Sequence, residues 1–138
     1  MQKINRLEFG DCMEVMLGLP DNSIDCVITD PPYGILHKGK KLRNGKHGDF
    51  SWDIENLEEF TIKWYQLVYT KLKNNGFFYI FWSQKHFNLG IRLFNPKRIL
   101  FWRYNNLINN VSGDFAYDYE PVFVIKKGNP KLIRGKHS

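Results

Sequence analysis

Hydrophobic positions along the chain alternate between strand-like runs and helical spacing. "KINRLEF", residues 3–9, reads as a short strand ending at Gly10-Asp11. "CMEVMLGLP" then sets Met13, Val15, Met16 and Leu19 on one helical side until Pro20 stops it. "IDCVITD" carries Ile24, Cys26, Val27 and Ile28 in a nearly continuous apolar run, the pattern of a strand covered on both faces, and ends at Asp30. Residues 54–74 place Leu57, Phe60, Trp64, Leu67, Val68 and Leu72 at spacings of three and four. That predicts a long helix opened by Asp53 or Asn56 and closed by Asn75-Gly76.

"FFYIFWS" reads as a further buried strand and "QKHFNLGIRLF" as a shorter helix weakened by Gly90. "RILFWRY" and "FAYDYEPVFVIKK" are two strands joined by a long loop. Strands and helices in turn predict an α/β fold with a mostly parallel sheet and an antiparallel edge hairpin. In such sheets ligands sit beyond the carboxyl ends of the strands. Gly10-Asp11, residues 30–34 and Ser83 all fall at that rim.

Composition narrows the class. The 138 residues suit one domain, with 43% hydrophobic and 16% aromatic residues, so a packed core is expected. The longest apolar run, "FFYIFW" at 77–82, is far short of a membrane span, and the amino terminus has no signal core, so a cytoplasmic protein is expected. The net charge of +6 favours a polyanionic partner. Cys12 and Cys26 form no metal-type spacing and are expected as reduced thiols, Cys26 in a core strand; no metal site is expected.

The stretch "SIDCVITDPPYG" carries the candidate chemistry. Pro-Pro after a strand can be punctuation, because proline ends ladder pairing and Asp-Pro opens turns. The alternative begins from the hydrogen-bond inventory. An ionised Asp30 only accepts, the Pro31 carbonyl accepts, and neither Pro31 nor Pro32 has an N–H to compete. Two acceptors without a donor suit an NH2 group, and Tyr33 offers a flat face to a base taken out of a duplex.

With these residues in view, "TDPPYG" at 29–34, preceded by "GDCMEVMLGLPDNSIDCVI" at 10–28, closely resembles the beta-class amino DNA methyltransferases. The resemblance continues through "WD" at 52–53, "GFFYIFWS" and "YEPVFVIKKG" at 119–128, and so covers nearly the whole chain. It implies a partial Rossmann-like methyltransferase fold that acts on double-stranded DNA with S-adenosylmethionine. It assigns the target amine to Asp30 and Pro31, with Pro32 in the same tetrapeptide, and base stacking to Tyr33. Asp11, Cys12 and Asp30 would lie near the cofactor, and Tyr119 would wall the base pocket or serve as a cross-strand packing partner. Asp at position 30 leans towards N6-adenine over N4-cytosine. The implied mechanism is direct methyl transfer without a covalent enzyme intermediate, in keeping with cysteines outside any nucleophile motif.

Lys38, Lys40, Lys41, Arg43 and Lys46 lie in the glycine-containing stretch 37–48, read as a flexible basic loop that either grips phosphates or is simply solvated. Trp64, Trp82 and Trp102 are expected in the core and Trp52 is left open, while Asp118 and Glu120 are expected to face solvent. The four histidines make no constellation.

The resemblance also exposes what this sequence lacks. Family members of this class carry a Phe-x-Gly-x-Gly loop that cradles the cofactor, and the strands around it lie between those before Asp11 and Asp30. Neither occurs in the 138 residues. Three arrangements follow: "KINRLEF" pairs beside "IDCVITD", a complementing chain or second copy supplies the strands, or an apolar edge stays open. A carboxyl-terminally truncated or split enzyme is the favoured reading. Its alternatives are an inactive nucleic-acid-binding remnant, an N4-cytosine enzyme, and an enzyme for RNA or protein amides.

Overall fold

The computed structural model describes residues 7–32, 56–103 and 118–131. Helix α1, Cys12–Leu17, starts where Asp11 Oδ1 accepts a hydrogen bond from the Met13 amide at 2.7 Å. Strand β1, Ile24–Thr29, follows. Helix α2, Leu57–Lys71, is capped by Asn56, the second of the two expected caps. Asn56 Oδ1 accepts from the Glu59 amide at 3.1 Å, while Asn56 Nδ2 donates back to the Glu59 carboxylate at 3.4 Å. Strand β2 is Leu72–Phe81, then come a 3-10 turn at Gln84–His86, α3 at Phe87–Phe94, β3 at Arg98–Arg103 and β4 at Tyr119–Lys127.

The sheet order is β1-β2-β4-β3. β1 runs parallel to β2, and β4 runs antiparallel to both β2 and β3. Three strands therefore share one direction and β4 opposes them, which gives the expected antiparallel pair at one edge. The carboxyl ends of β1 and β2 and the start of β4 meet at one rim, since Thr29 pairs with Ile80 and Phe81 with Val122.

Helices cover one face of this sheet. Phe78, Ile80, Phe123 and Ile125 pack with Trp82 under Trp64 and Val68 of α2 and Phe94 of α3. The rings meet edge-on or tilted, as Trp64 does with Phe78 at 6.1 Å and Trp82 with Phe94 at 5.0 Å. Lys127 ties the far end together, donating to the Tyr69 carbonyl at 2.9 Å, the Leu72 carbonyl at 2.6 Å and Asn22 Oδ1 at 2.9 Å. A cation there meets the orphan carbonyls and negative dipole end of α2.

Several expectations change. β1 is not covered on both faces: it is an outer strand with a single neighbour among the described residues, Cys26 is exposed, and Ile28 is 69% exposed. Trp64 and Trp82 are buried as expected, but Trp102 is 59% exposed. The reason is shared, because Ile28 and Trp102 lie on the face without helices. They line an open, mostly apolar groove of about 380 Å³ with Tyr79, Phe81, Leu100, Phe101 and Val122.

Leu72 belongs to β2 and not to α2, which ends at Lys71. Asn75-Gly76 lie within β2 and do not close the helix: with Asn75 at φ +68 they fall at the register shift between the Ile24–Leu72 and Cys26–Phe77 pairs. Of the strand expected over 3–9, residues 7–9 are not in a strand, and Leu7 and Phe9 are exposed; the rest lies outside the described residues.

Candidate functional site: the rim beyond β1

Asp30 and Pro31 follow β1 directly, so pairing of β1 with β2 sets where they stand. Pro31 is buried, Pro32 half-buried and Asp30 exposed. Proline has no N–H of its own, so the Pro31 carbonyl is an acceptor with no competing donor on the same residue. Partial burial pushes the Asp30 carboxyl up from its ordinary value, and the charge of Glu120 pushes it further. The rim is thus acceptor-rich and electronegative.

Of the other residues expected at the site, Asp11 caps α1 through its side chain, at the end of α1 remote from the start of β1. Cys12 is exposed in the first turn. Tyr119 opens β4, half-buried, with its ring edge-on to Phe101 at 5.1 Å and its carbonyl accepting from Gln84 Nε2. Ser83 is buried, and its Oγ accepts from the Lys85 amide at 3.2 Å, starting the 3-10 turn. Tyr33, Lys38, Lys40, Lys41, Arg43, Lys46 and Trp52 lie outside the described residues.

Asp118 and Glu120, expected to face solvent, stay partly exposed at the start of β4. Both are half-buried, and Asp118 Oδ2 accepts from Arg103 Nε at 3.0 Å. No pattern along the chain signals that Glu120 approaches Asp30, 90 positions away in number. Only the placement of β4 beside β2 brings them to one rim.

Asp11 spends an acceptor on its own helix. Two grooves omit Asp11, Cys12 and Asp30: one is the apolar face described above, the other lies between α2, α3 and β4 near Tyr65, Tyr69 and Lys126. The described residues contain no cluster of His, Cys, Asp and Glu able to hold a metal ion.

Fold and rim together define a partial Rossmann-like α/β domain that presents hydrogen-bond acceptors at a strand's carboxyl end. A family model described as DNA methylase, covering N6 and N4 enzymes, matches residues 24–137, and the chain belongs to that family. The type II methyltransferase M.BglII of Bacillus subtilis is 35% identical over 101 residues, 67% of this chain and 25% of its own length. The type II methyltransferase M.HinfI of Haemophilus influenzae is 32% identical over 116 residues, 78% of this chain and 32% of its own. These relatives tie the family to DNA methylation and restriction-modification.

Among solved structures, the cytosine-N4-specific PvuII DNA methyltransferase has a TM-score of 0.62 at 19% identity, covering 88% of this chain and 49% of that one. The M1.HpyAVI–SAM complex has a TM-score of 0.57 at 19% identity, covering 95% and 60%. These likenesses support the fold. The chain spans a quarter to a third of the curated relatives' length and about half of the structural ones.

Proposed function

We propose that this chain is the target-amine part of an S-adenosylmethionine-dependent DNA methyltransferase acting on adenine N6, and that catalysis needs a further segment bearing a cofactor cradle. The observation that carries the reading is the Asp30-Pro31 pair, held at the end of β1 with Pro31 buried and Asp30 turned to the open rim. Asp30 accepts one N–H of the exocyclic amine and the Pro31 carbonyl the other, which aims the nitrogen lone pair out of the ring plane. Tyr33 stacks on the extruded base, Tyr119 walls it, and Lys38, Lys40, Lys41, Arg43 and Lys46 neutralise phosphates of the duplex.

S-adenosylmethionine supplies an electrophilic methyl group when bound. Asp11, Cys12 and Asp30 are the residues here that would face it, while the cradle must come from another segment. In support, β1 lacks a second neighbour among the described residues, and the sequence has no Phe-x-Gly-x-Gly loop.

The test reconstitutes the chain with a segment bearing that loop from a family member and follows methyl transfer to adenine in duplex DNA. Activity is expected in the mixture and not in either part alone. Asp30→Ala should lower the rate by at least about 100-fold, the usual scale for losing a preorganised polar contact. Tight cofactor binding and methylation by the purified 138-residue chain alone would refute the need for a complement. Methylated cytosine in place of adenine would reassign the base.

A further inference from the structure

We propose that Gln84 is a positioning residue for the target base: its side-chain amide takes over the ladder where β2 ends and fixes the first residue of β4, so that the Tyr119 ring stands as a firm wall of the base site. The inference rests on the amine reading above, in which Tyr119 walls the base, and adds a residue to it.

The placement follows from the register. β2 and β4 pair as far as Phe81 with Val122, and the Trp82 amide then donates to the Pro121 carbonyl at 3.0 Å. Each step forward on β2 is a step back on β4, so the next acceptor in line, the Tyr119 carbonyl, would face the main-chain N–H of Gln84. The main chain turns away instead. Ser83 Oγ accepts from the Lys85 amide at 3.2 Å, and the Ser83 carbonyl accepts from the His86 amide at 3.2 Å, which starts the 3-10 turn. The Gln84 side chain supplies the donor in place of the main chain, with Nε2 donating to the Tyr119 carbonyl. A carbonyl only accepts, so the NH2 end of the amide and not Oε1 faces it.

The contact matters because β4 is weakly held at this end. Pro121 has no N–H, so it accepts from Trp82 and returns no bond. Tyr119 and Glu120 lie past the last β2–β4 ladder pair and are matched with Arg103 and Trp102 of β3. Strand ends held from one side fray. Gln84 gives Tyr119 an anchor on the β2 side, and the edge-on contact of its ring with Phe101 at 5.1 Å sets the direction of the side chain. A main-chain anchor and a ring anchor together hold a flat wall. Gln84 acts through Tyr119 and forms no bond to the base. Methyl transfer makes such precision count, since a misplacement of about 1 Å costs on the order of 100-fold.

Gln84→Glu keeps the shape of the side chain and removes only the donor. In the full chain, without cofactor or DNA, a carbon-13 label at the Tyr119 carbonyl reports the contact. Against the wild type at the same pH, its signal should move upfield in Gln84→Glu at about pH 7 and return below about pH 4, where the introduced carboxyl is protonated and donates again. Gln84→Asn, too short to reach, should stay shifted at both. An unmoved signal in folded Gln84→Glu overturns the proposal. In the wild type, the Gln84 side-chain amide hydrogens should exchange with solvent more slowly than those of the exposed Asn88. Equal rates overturn the proposal even if the variant does not fold.

In the reconstituted enzyme, Gln84→Glu should lower kcat about tenfold with KM for DNA within about twofold, because phosphate contacts set affinity and Tyr119 sets base geometry. In a Tyr119→Ala background the same substitution should cost nothing further. An unchanged kcat, or an equal loss in both backgrounds, also overturns the proposal. A reconstituted wild-type enzyme that methylates no adenine would count against the amine reading, whereas the carbonyl signal and the exchange rates report on the Gln84 contact whatever that outcome.

Discussion

In the proposed role, Asp30 carries opposite demands for stability and function. Its folded-state pKa is raised, so ionising it opposes folding. The stability present below the ordinary carboxylate range is lost as the pH rises through the raised value. Asp30→Asn removes that loss. The variant should be more stable than the parent at about pH 7 and no more stable at about pH 3, as thermal melts at the two values would show. The same substitution should abolish methyl transfer in the reconstituted enzyme. The type and order of these residues were legible in "TDPPYG", but the raised pKa was not, because the burial and the Glu120 field that cause it come from other strands.

At the scale of elements, α3 shows why pattern reading of glycine needs its neighbours. Gly90 looks like a defect in a helix, yet a Cβ there would lie 2.3 Å from Phe123 Cε2 and 2.8 Å from Trp82 Cδ1. Both rings are fully buried and have no room to yield. The helix lies against the sheet because this position has no side chain. Alanine would gain up to about 1 kcal/mol of helix propensity. The overpacking costs about 1–3 kcal/mol or more. Gly90→Ala should therefore lower stability in urea unfolding, contrary to what helix propensity alone predicts. The long helix α2 was legible almost to its ends, since its apolar spacing and the Asn56 cap are local. Its carboxyl end was not, because Leu72 is taken by pairing with Ile24 of a distant strand.

For the whole molecule, the sheet has one face under helices and one apolar face with Leu100 and Trp102 at least half exposed. Contiguous apolar surface of this kind promotes association. Replacing both residues with glutamate should reduce light scattering at high protein concentration. The melting temperature should change little, since exposed substitutions usually stay within about 0.5 kcal/mol. The excess of positive charge is expected to act at long range. With Lys40, Lys41 and Arg43 replaced by alanine, the dependence of DNA affinity on salt should flatten, by a slope of about 0.9 for each phosphate no longer neutralised. An unchanged slope would remove those three residues from the DNA interface. The described residues include no helix long and apolar enough to cross a membrane.

Local order was set by the sequence alone: that α2 and α3 are helices, where the cap of α2 falls, and which residues offer acceptors without a competing donor. These depend on spacing, capping and hydrogen-bond inventory, all of which act within a few residues. The tertiary structure decided which apolar strand faces are covered and which carboxylates share a rim. An apolar run is equally compatible with either covering, and the difference lies in the strand order β1-β2-β4-β3, where helices pack on one side only. Such pairings are fixed by contacts between segments far apart in the chain, and no local period encodes them.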